Sequence, residues 1–450
     1  MEFDPHALLR ALAGFPPARG HWVAYSGGLD SLVLLHALAT GPARGAVAGL
    51  RAVHVNHGLQ PDAAAWEMHG RAVCAALGVP FRALSVDGRP RPGESPEAAA
   101  RRARYGALIT LVEPGDLLLT AHHQDDQAET VLLQLLRGAG PAGLAGMAAC
   151  APFGAGWLAR PLLGFRRESL HRYALAHGLS WVEDGSNRDL RLDRNFLRHE
   201  ILPALRQRWP SCSRTLSRAA SHAAEAATVL EYCGDQDLAS VAEPGDKVLR
   251  VSRLRALAPA RRRNALRAWF RTLGLPAPST AHLERCLTEA LDAGPDRNPR
   301  VHWPGAEVRR YRDRLYAMAP LPVFSAACRQ DWDLDTAVEL PGALGTLRAV
   351  PCTGGGLRLA DCHGQAATVG FRAGGEGCRP APGAPTRALK KLFQERGVPP
   401  WARSRIPLVY LDGVLAAVAD WWVCAPFQAD AGEAGRAVSW TRGPGAGGVP

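Results

Sequence analysis

His21-Trp22-Val23-Ala24-Tyr25, Ser26-Gly27-Gly28-Leu29-Asp30-Ser31 and Leu32-Val33-Leu34-Leu35-His36-Ala37-Leu38 follow one another without a break. The first five residues read as a β-strand, the next six as a tight glycine turn and the last seven as the opening turns of an apolar helix. Gly27 and Gly28 can take backbone angles closed to other residues and leave no side chain in the way of a ligand. The helix that begins here points unpaired N–H groups and the positive end of its dipole into the turn. Ser26 and Ser31 add hydroxyls, and Asp30 adds a carboxylate suited to a metal ion. Ser26, Gly27, Gly28, Leu29, Asp30 and Ser31 therefore read as a phosphate cradle. The pattern is neither G-x-x-x-x-G-K-[ST] nor G-x-G-x-x-G. The plain alternative, a corner that Gly27-Gly28 merely turns, leaves the hydroxyls and the carboxylate unexplained.

Outward from this turn, strand and helix alternate. Strand-like runs fall at residues 21–25, 50–57, 81–86, 117–122 and 157–162, with helical patterns at 31–39, 63–77, 97–112, 124–137 and 167–178. Near-continuous apolar strands in such alternation indicate a doubly wound parallel α/β sheet, whose ligands lie beyond the carboxyl ends of the strands. Ser26–Ser31, Asn56-His57-Gly58 and His122-His123 all fall at such ends and should line one pocket. Residues 1–215 are expected to form this core. Residues 216–322 are expected to form a mainly helical middle domain, opening on an alanine-rich helix at 215–231 with a boundary at Pro244-Gly245-Asp246. Residues 335–430 should form a small α+β C-terminal domain, and 431–450 have the composition of a disordered tail.

The 450 residues are 47% hydrophobic and 21% charged, enough for ordinary cores in several domains. The longest apolar run is too short to span a bilayer. Met1-Glu2-Phe3-Asp4-Pro5 opens acidic and lacks the basic and apolar regions of a signal peptide. Ten cysteines without a C-x-x-C pair argue against a disulfide framework or a zinc site and suit the cytoplasm. The net charge of +11, carried by 50 arginines and three lysines, favours an anionic partner. Arg261, Arg262, Arg263, Arg267 and Arg271 crowd one expected helix, and Arg309, Arg310, Arg312 and Arg314 form a second cluster. Singly each is a solvated face; together, beside such a core, they point to an RNA backbone.

A second motif, Ala121-His122-His123-Gln124-Asp125-Asp126-Gln127-Ala128-Glu129-Thr130, follows a strand and opens a helix. Helical spacing puts Asp125, Asp126 and Glu129 on one side. Three acids and two histidines facing a nucleotide loop call for cations, whether magnesium, a substrate ammonium or both.

Ser26–Ser31 resembles the S-G-G-x-D-S pyrophosphatase loop of enzymes that cleave ATP between its α- and β-phosphates. The 122–138 block, Gly143–Met147, Glu183-Asp184, Ser186-Asn187 and Arg194-Asn195-x-x-Arg198 come in the order seen in tRNA(Ile)-lysidine synthetases. So does A-R-R-A-R-Y at 100–105. Leu389–Glu395 with Gly397-Val398-Pro399-Pro400-Trp401 is similar to the C-terminal tRNA-binding domain of the longer members. One departure is Gly185, where the family commonly has proline.

The resemblance implies ATP-dependent replacement of the wobble cytidine's C2 oxygen by the side-chain nitrogen of L-lysine, in a tRNA(Ile) with a CAU anticodon. ATP adenylates that oxygen, lysine attacks C2, and AMP leaves. It further implies that Ser26–Ser31 bind ATP, that Asp30 and Asp125 hold Mg2+, that Asp30, Arg104 and His123 are catalytic, and that Asp126 and Glu129 hold lysine. Arg194, Asn195, Arg198, Lys390 and Lys391 are then the expected tRNA contacts. A lysine ammonium of pKa near 10.4 must also lose a proton, a task for which His123 and Asp126 both qualify. The helix after Thr386 has Leu389, Leu392 and Phe393 as its buried stripe and Gly397 as its stop. The nearest alternative is a sulfur-inserting tRNA enzyme with the same loop. Oligomeric state, a homodimer included, is left open.

Overall fold

The apolar runs of the first third assemble into one six-stranded sheet. The structure is a computed structural model describing residues 2–45, 47–56, 58, 63–91, 93, 95–243, 247–294, 297–362 and 366–448. It contains two compact units, Met1–Val229 and Leu230–Pro450. The division falls inside the helix Cys212–Val241, later than the expected 215/216 limit. The expected markers His57 and Pro244-Gly245-Asp246 lie outside the described residues.

In the first unit the strands are β1 (Gly20–Ala24), β2 (Leu50–Asn56), β3 (Phe81–Ser85), β4 (Asp116–Leu119), β5 (Cys150–Phe153) and β6 (Gly156–Ala159). Their order is β3-β2-β1-β4-β6-β5, parallel except for the hairpin partner β5 at the edge. Alternation along β1 explains the two layers. Val23 and Tyr25 pack with helices α1 (Pro5–Ala13) and α2 (Leu29–Ala39), whereas Trp22 packs on the opposite face with Leu108 and Val112. Helix α2 is buried along nearly its whole length, as its unbroken apolar run requires. Two further helices lead toward the site: α3 (Ala63–Leu77) and α4 (Pro96–Ile109). The order in which strands are added reverses between the parallel neighbours β1 and β4, so the turns after these two strands open at the sheet's switch point.

The second unit joins helices to antiparallel sheets. Leu249–Arg250, Arg300–Trp303, Ala306–Tyr311 and Arg314–Met318 form a four-stranded sheet beside the helix Pro259–Thr272, around Leu266, Trp269, Phe270 and Trp303. The middle region is thus helical with a sheet of its own. Most arginines of its two clusters also have partners within the fold. Arg261 pairs with Asp237, Arg263 with Glu284 at 2.6 Å and Arg271 with Asp235 at 2.6 Å. Arg314 pairs with Glu243 at 2.8 Å, and buried Arg310 donates to the Leu291 carbonyl at 2.8 Å. Acids from the helices Cys212–Val241 and Thr280–Arg285 and from the segment after the first, with carbonyls at a helix end, take up these guanidiniums; Arg267 stays exposed.

Farther along, a five-stranded and a four-stranded sheet share one core. The helix Leu389–Glu395 buries Leu389, Leu392 and Phe393 and leaves Lys390 and Lys391 exposed. Its N-cap is Ala388 rather than Thr386, and Gly397, at φ +76°, follows its end. The disordered tail is corrected: Ala434–Arg442 is a strand, paired antiparallel with Gly345–Thr353 along its whole length. Its glycine and alanine content concealed the alternation that turns Trp440 into the core, 3% exposed. Among the described residues no helix is long and apolar enough to cross a membrane.

Candidate active site

After β1 the chain turns through Gly27 at φ +86°, a conformation that side-chain-bearing residues rarely adopt. The turn is tied to the helix it precedes. Ser26 N–H donates to Ser31 Oγ at 3.1 Å, and Ser31 Oγ donates to the Gly28 carbonyl at 2.9 Å. Gly28 is the N-cap of α2 and has no side chain to satisfy the helix's first N–H groups, which stay available to an anion. These residues line a cavity of about 570 Å³ together with Asn56, Arg104, His122 and Arg198. Trp66, Tyr105 and Trp181 give it flat apolar walls. Trp66 and Trp181 carry no signal in the sequence, since lone tryptophans in amphipathic segments read as core.

Helix α5 (Gln124–Leu136) starts after β4 and brings the second motif to the same place. His123 caps it: Asp126 N–H donates to His123 Nδ1 at 3.3 Å, and His123 N–H donates to Asp126 Oδ2 at 3.0 Å. The imidazole's other nitrogen, Nε2, lies 3.5 Å from Asp30 Oδ2 and 3.4 Å from Asp126 Oδ2. Burial opposes charge on His123, yet Asp126 and Asp30 outweigh it and raise its pKa. Burial likewise pushes the Asp126 carboxyl up, but His123 and Arg198 win and hold it at about 2. His123 is 1% exposed and sits behind the cradle, whereas His122 lines the cavity. Burial lowers the His122 pKa to about 3, which keeps it neutral.

Asp126 and Glu129 share a face of α5, as their spacing requires. Opposite them the helical segment Asp193–Phe196, continuing as a π-turn over Leu197–Ile201, presents Arg194 and Arg198. Arg198 bridges the acids, at 2.7 Å from Asp126 Oδ1 and 2.7 Å from Glu129 Oε1, and Arg194 Nε lies 3.0 Å from Glu129 Oε2. Glu129 is fully buried. Charged groups this deep are stable only when paired, so the two motifs hold each other in place.

Other expected site residues lie elsewhere. Asn195 is buried and donates to the Asp189 carbonyl at 3.0 Å. Asp125 pairs with Arg206 at 2.6 Å and lines a second cavity rather than the first. Lys390 and Lys391 belong to the second unit. Of the two expected cation ligands, Asp30 and Asp125, only Asp30 lines the first cavity, where Glu183 and Asp184 lie as well. Asp30 Oδ1 is buried without a hydrogen-bond partner, a group that a cation would satisfy. Among the described residues no group of three or more His, Cys, Asp and Glu side chains forms a ready metal cage. A cation here would need ligands from a phosphate.

Comparison with known proteins agrees with this architecture. Residues 6–205 match the family described as PP-loop domain, 249–316 the TilS substrate binding domain and 367–440 the TilS substrate C-terminal domain. The chain is 46% identical over 433 residues to a tRNA(Ile)-lysidine synthase of Methylococcus capsulatus, covering 95% of this chain and 98% of that one. It is 47% identical over 432 residues to one of Alkalilimnicola ehrlichii, covering 96% of each. With a core, a substrate-binding segment and a C-terminal segment all matched in order, the chain belongs to the tRNA(Ile)-lysidine synthase family.

Proposed function

We propose that the protein ligates L-lysine to C2 of the wobble cytidine in a tRNA(Ile) with a CAU anticodon, through an adenylated tRNA intermediate, releasing AMP and pyrophosphate in the cytoplasm. The modified anticodon then reads AUA instead of AUG. The observation that carries this reading is the junction of two half-sites in the first unit. A phosphate cradle with an unpaired Asp30 oxygen adjoins a buried carboxylate pair bridged by Arg198. Adenylation needs the first and an incoming amine needs the second. The relatives' name supplies the substrate. The sequence has no C-x-x-C pair, the pattern on which the sulfur-inserting alternative relies.

The N–H groups at the start of α2, with the Ser26 and Ser31 hydroxyls, hold phosphate oxygens of ATP. Arg104 and Arg198, on the cavity wall, face the charge that develops as pyrophosphate departs. Trp66, Tyr105 and Trp181 offer their faces to nucleobases. A magnesium ion arriving with ATP fits Asp30 and, when bound, supplies further neutralisation of the phosphates.

Lysine enters by exchange. Its ammonium takes the place of Arg198 between Asp126 and Glu129, and the freed guanidinium meets the lysine carboxylate, so no charge is left unpaired. Neither candidate base is free as the site stands. His123 is shared by two carboxylates and Asp126 is a weak base, so proton loss follows the rearrangement of Arg198. The full burial of Glu129 favours a second role for that residue alone: it positions Arg194 and Arg198 and never touches lysine.

Kinetics separate these roles. Asp126→Ala is expected to raise the lysine requirement on the order of tenfold to a hundredfold, the loss of one charge-assisted contact, while lysine-independent pyrophosphate release persists. Glu129→Gln falls between wild type and alanine if Glu129 binds lysine. If it only positions the arginines, Glu129→Gln lowers the melting temperature and slows both half-reactions alike. The function itself is tested by incubating the protein with ATP, magnesium, lysine and the tRNA, then weighing the digested nucleosides. Cytidine carrying a lysine residue is expected; its absence overturns the reading.

A further inference from the structure

A second cavity, of about 470 Å³, adjoins the first and shares Leu29, Arg167, Trp181 and Glu183 with it. None of the steps above uses it. Arg166, Arg167 and Arg214 line its wall. Among the described residues no carboxylate pairs with any of the three; Arg214 reaches only Ser211 Oγ, at 3.3 Å. Of the acids on the wall, Asp125 is occupied by Arg206 at 2.6 Å and Glu183 by Arg188 at 3.5 Å, and exposed Glu168 sets a single negative charge against three arginines. The wall is therefore open to an anion of forked geometry, such as a phosphate.

Two independent observations narrow the ligand. Gln124 lines this cavity, is 6% exposed, and its buried Oε1 has no hydrogen-bond partner. Such an acceptor calls for a ligand that brings a donor. Trp209, next in the chain to the lining residue Pro210, is 60% exposed and offers a ring suited to stacking on a base. Ionised pyrophosphate satisfies the arginines but offers Gln124 nothing. A ribose–phosphate unit satisfies both, through its phosphate and its 2′-hydroxyl.

We propose that the second cavity receives a ribose–phosphate unit of the tRNA strand, next to the nucleotide that reacts in the first cavity, with Trp209 stacking on the adjoining base. The proposal rests on the reading of tRNA as substrate.

The full-length double variant Arg166→Ala/Arg214→Ala, and Arg214→Ala alone at an exposed position, are compared with wild type in tRNA binding across a salt series. ATP dependence and inhibition by pyrophosphate are measured alongside. The double variant is expected to bind tRNA about tenfold or more weakly, with a salt slope shallower by about one to two; Arg214→Ala loses about one. Pyrophosphate inhibition and the KM for ATP stay unchanged. Wild type should also prefer an anticodon stem-loop with ribose at the nucleotides flanking the wobble position over its 2′-deoxy counterpart, and Gln124→Leu should erase that preference. Unchanged tRNA affinity and slope overturn the proposal, as does weakened pyrophosphate inhibition with normal tRNA binding. If wild type neither binds the tRNA nor forms the lysine adduct, it is the functional reading that falls instead.

Discussion

Asp30→Ala lowers tRNA modification by an expected hundredfold to thousandfold, with little change in melting temperature. The side chain is partly exposed in the first cavity and its Oδ1 has no protein partner, so little of the fold depends on that oxygen. In the proposed mechanism its value lies in the charge placed where pyrophosphate separates, and removing one such preorganised group costs this much in other active sites. Single-turnover release of pyrophosphate at saturating ATP is the measurement. Normal release would remove Asp30 from the mechanism. Ser31→Ala should show a smaller loss of the same kind, because its hydroxyl also ties the turn to the Gly28 carbonyl.

The second large effect concerns stability. Trp440→Ala is expected to cost the C-terminal region about 3–5 kcal/mol, the usual range for emptying a buried aromatic site. Trp440 is buried, and its Nε1 donates to the Leu344 carbonyl at 2.9 Å, an acceptor that the substitution leaves with the Gly443 N–H alone, at 3.0 Å. Deleting residues 431–450 removes the whole strand and exposes the edge of Gly345–Thr353. Limited proteolysis should then cut between residues 330 and 430 while the first unit survives. Wild-type resistance in both variants would mean that the strand is dispensable.

How much of this was legible beforehand follows from where the signal is local. Strand, turn and helix at 20–39 rest on sequential periodicity and on two glycines, and they appear where expected. The shared face of Asp126 and Glu129 follows from helical spacing alone. What faces them does not. Arg194 and Arg198 lie more than sixty positions away, and only the fold shows that their guanidiniums meet those acids rather than solvent. The partners of charged runs are hidden for the same reason: nothing near Arg261-Arg262-Arg263 in the sequence names Asp237 and Glu284, which the fold places beside it. The tail was misread through composition, since alternation in Ala437-Val438-Ser439-Trp440 is too short to stand out from its glycine-rich surroundings. Hairpin strand β5 escaped notice because Pro152 lies within it, which a sheet tolerates at an edge.

Asp30, His123, Asp126 and Arg198 form an unbroken line of alternating charge from the glycine turn to the carboxylate pair. Anything that draws Asp30 away from His123 leaves the imidazole to Asp126 alone. Asp126 then has less charge to spare for Arg198, the residue that lysine displaces in the proposed mechanism. Coupling of this kind is reciprocal: the factor by which ATP tightens lysine binding equals the factor by which lysine tightens ATP binding. Equilibrium binding of each substrate in the presence of the other measures that factor directly. On the proposed reading, a protein wired in this way keeps its amine site latched until the nucleotide arrives, and the order of events is carried by four side chains.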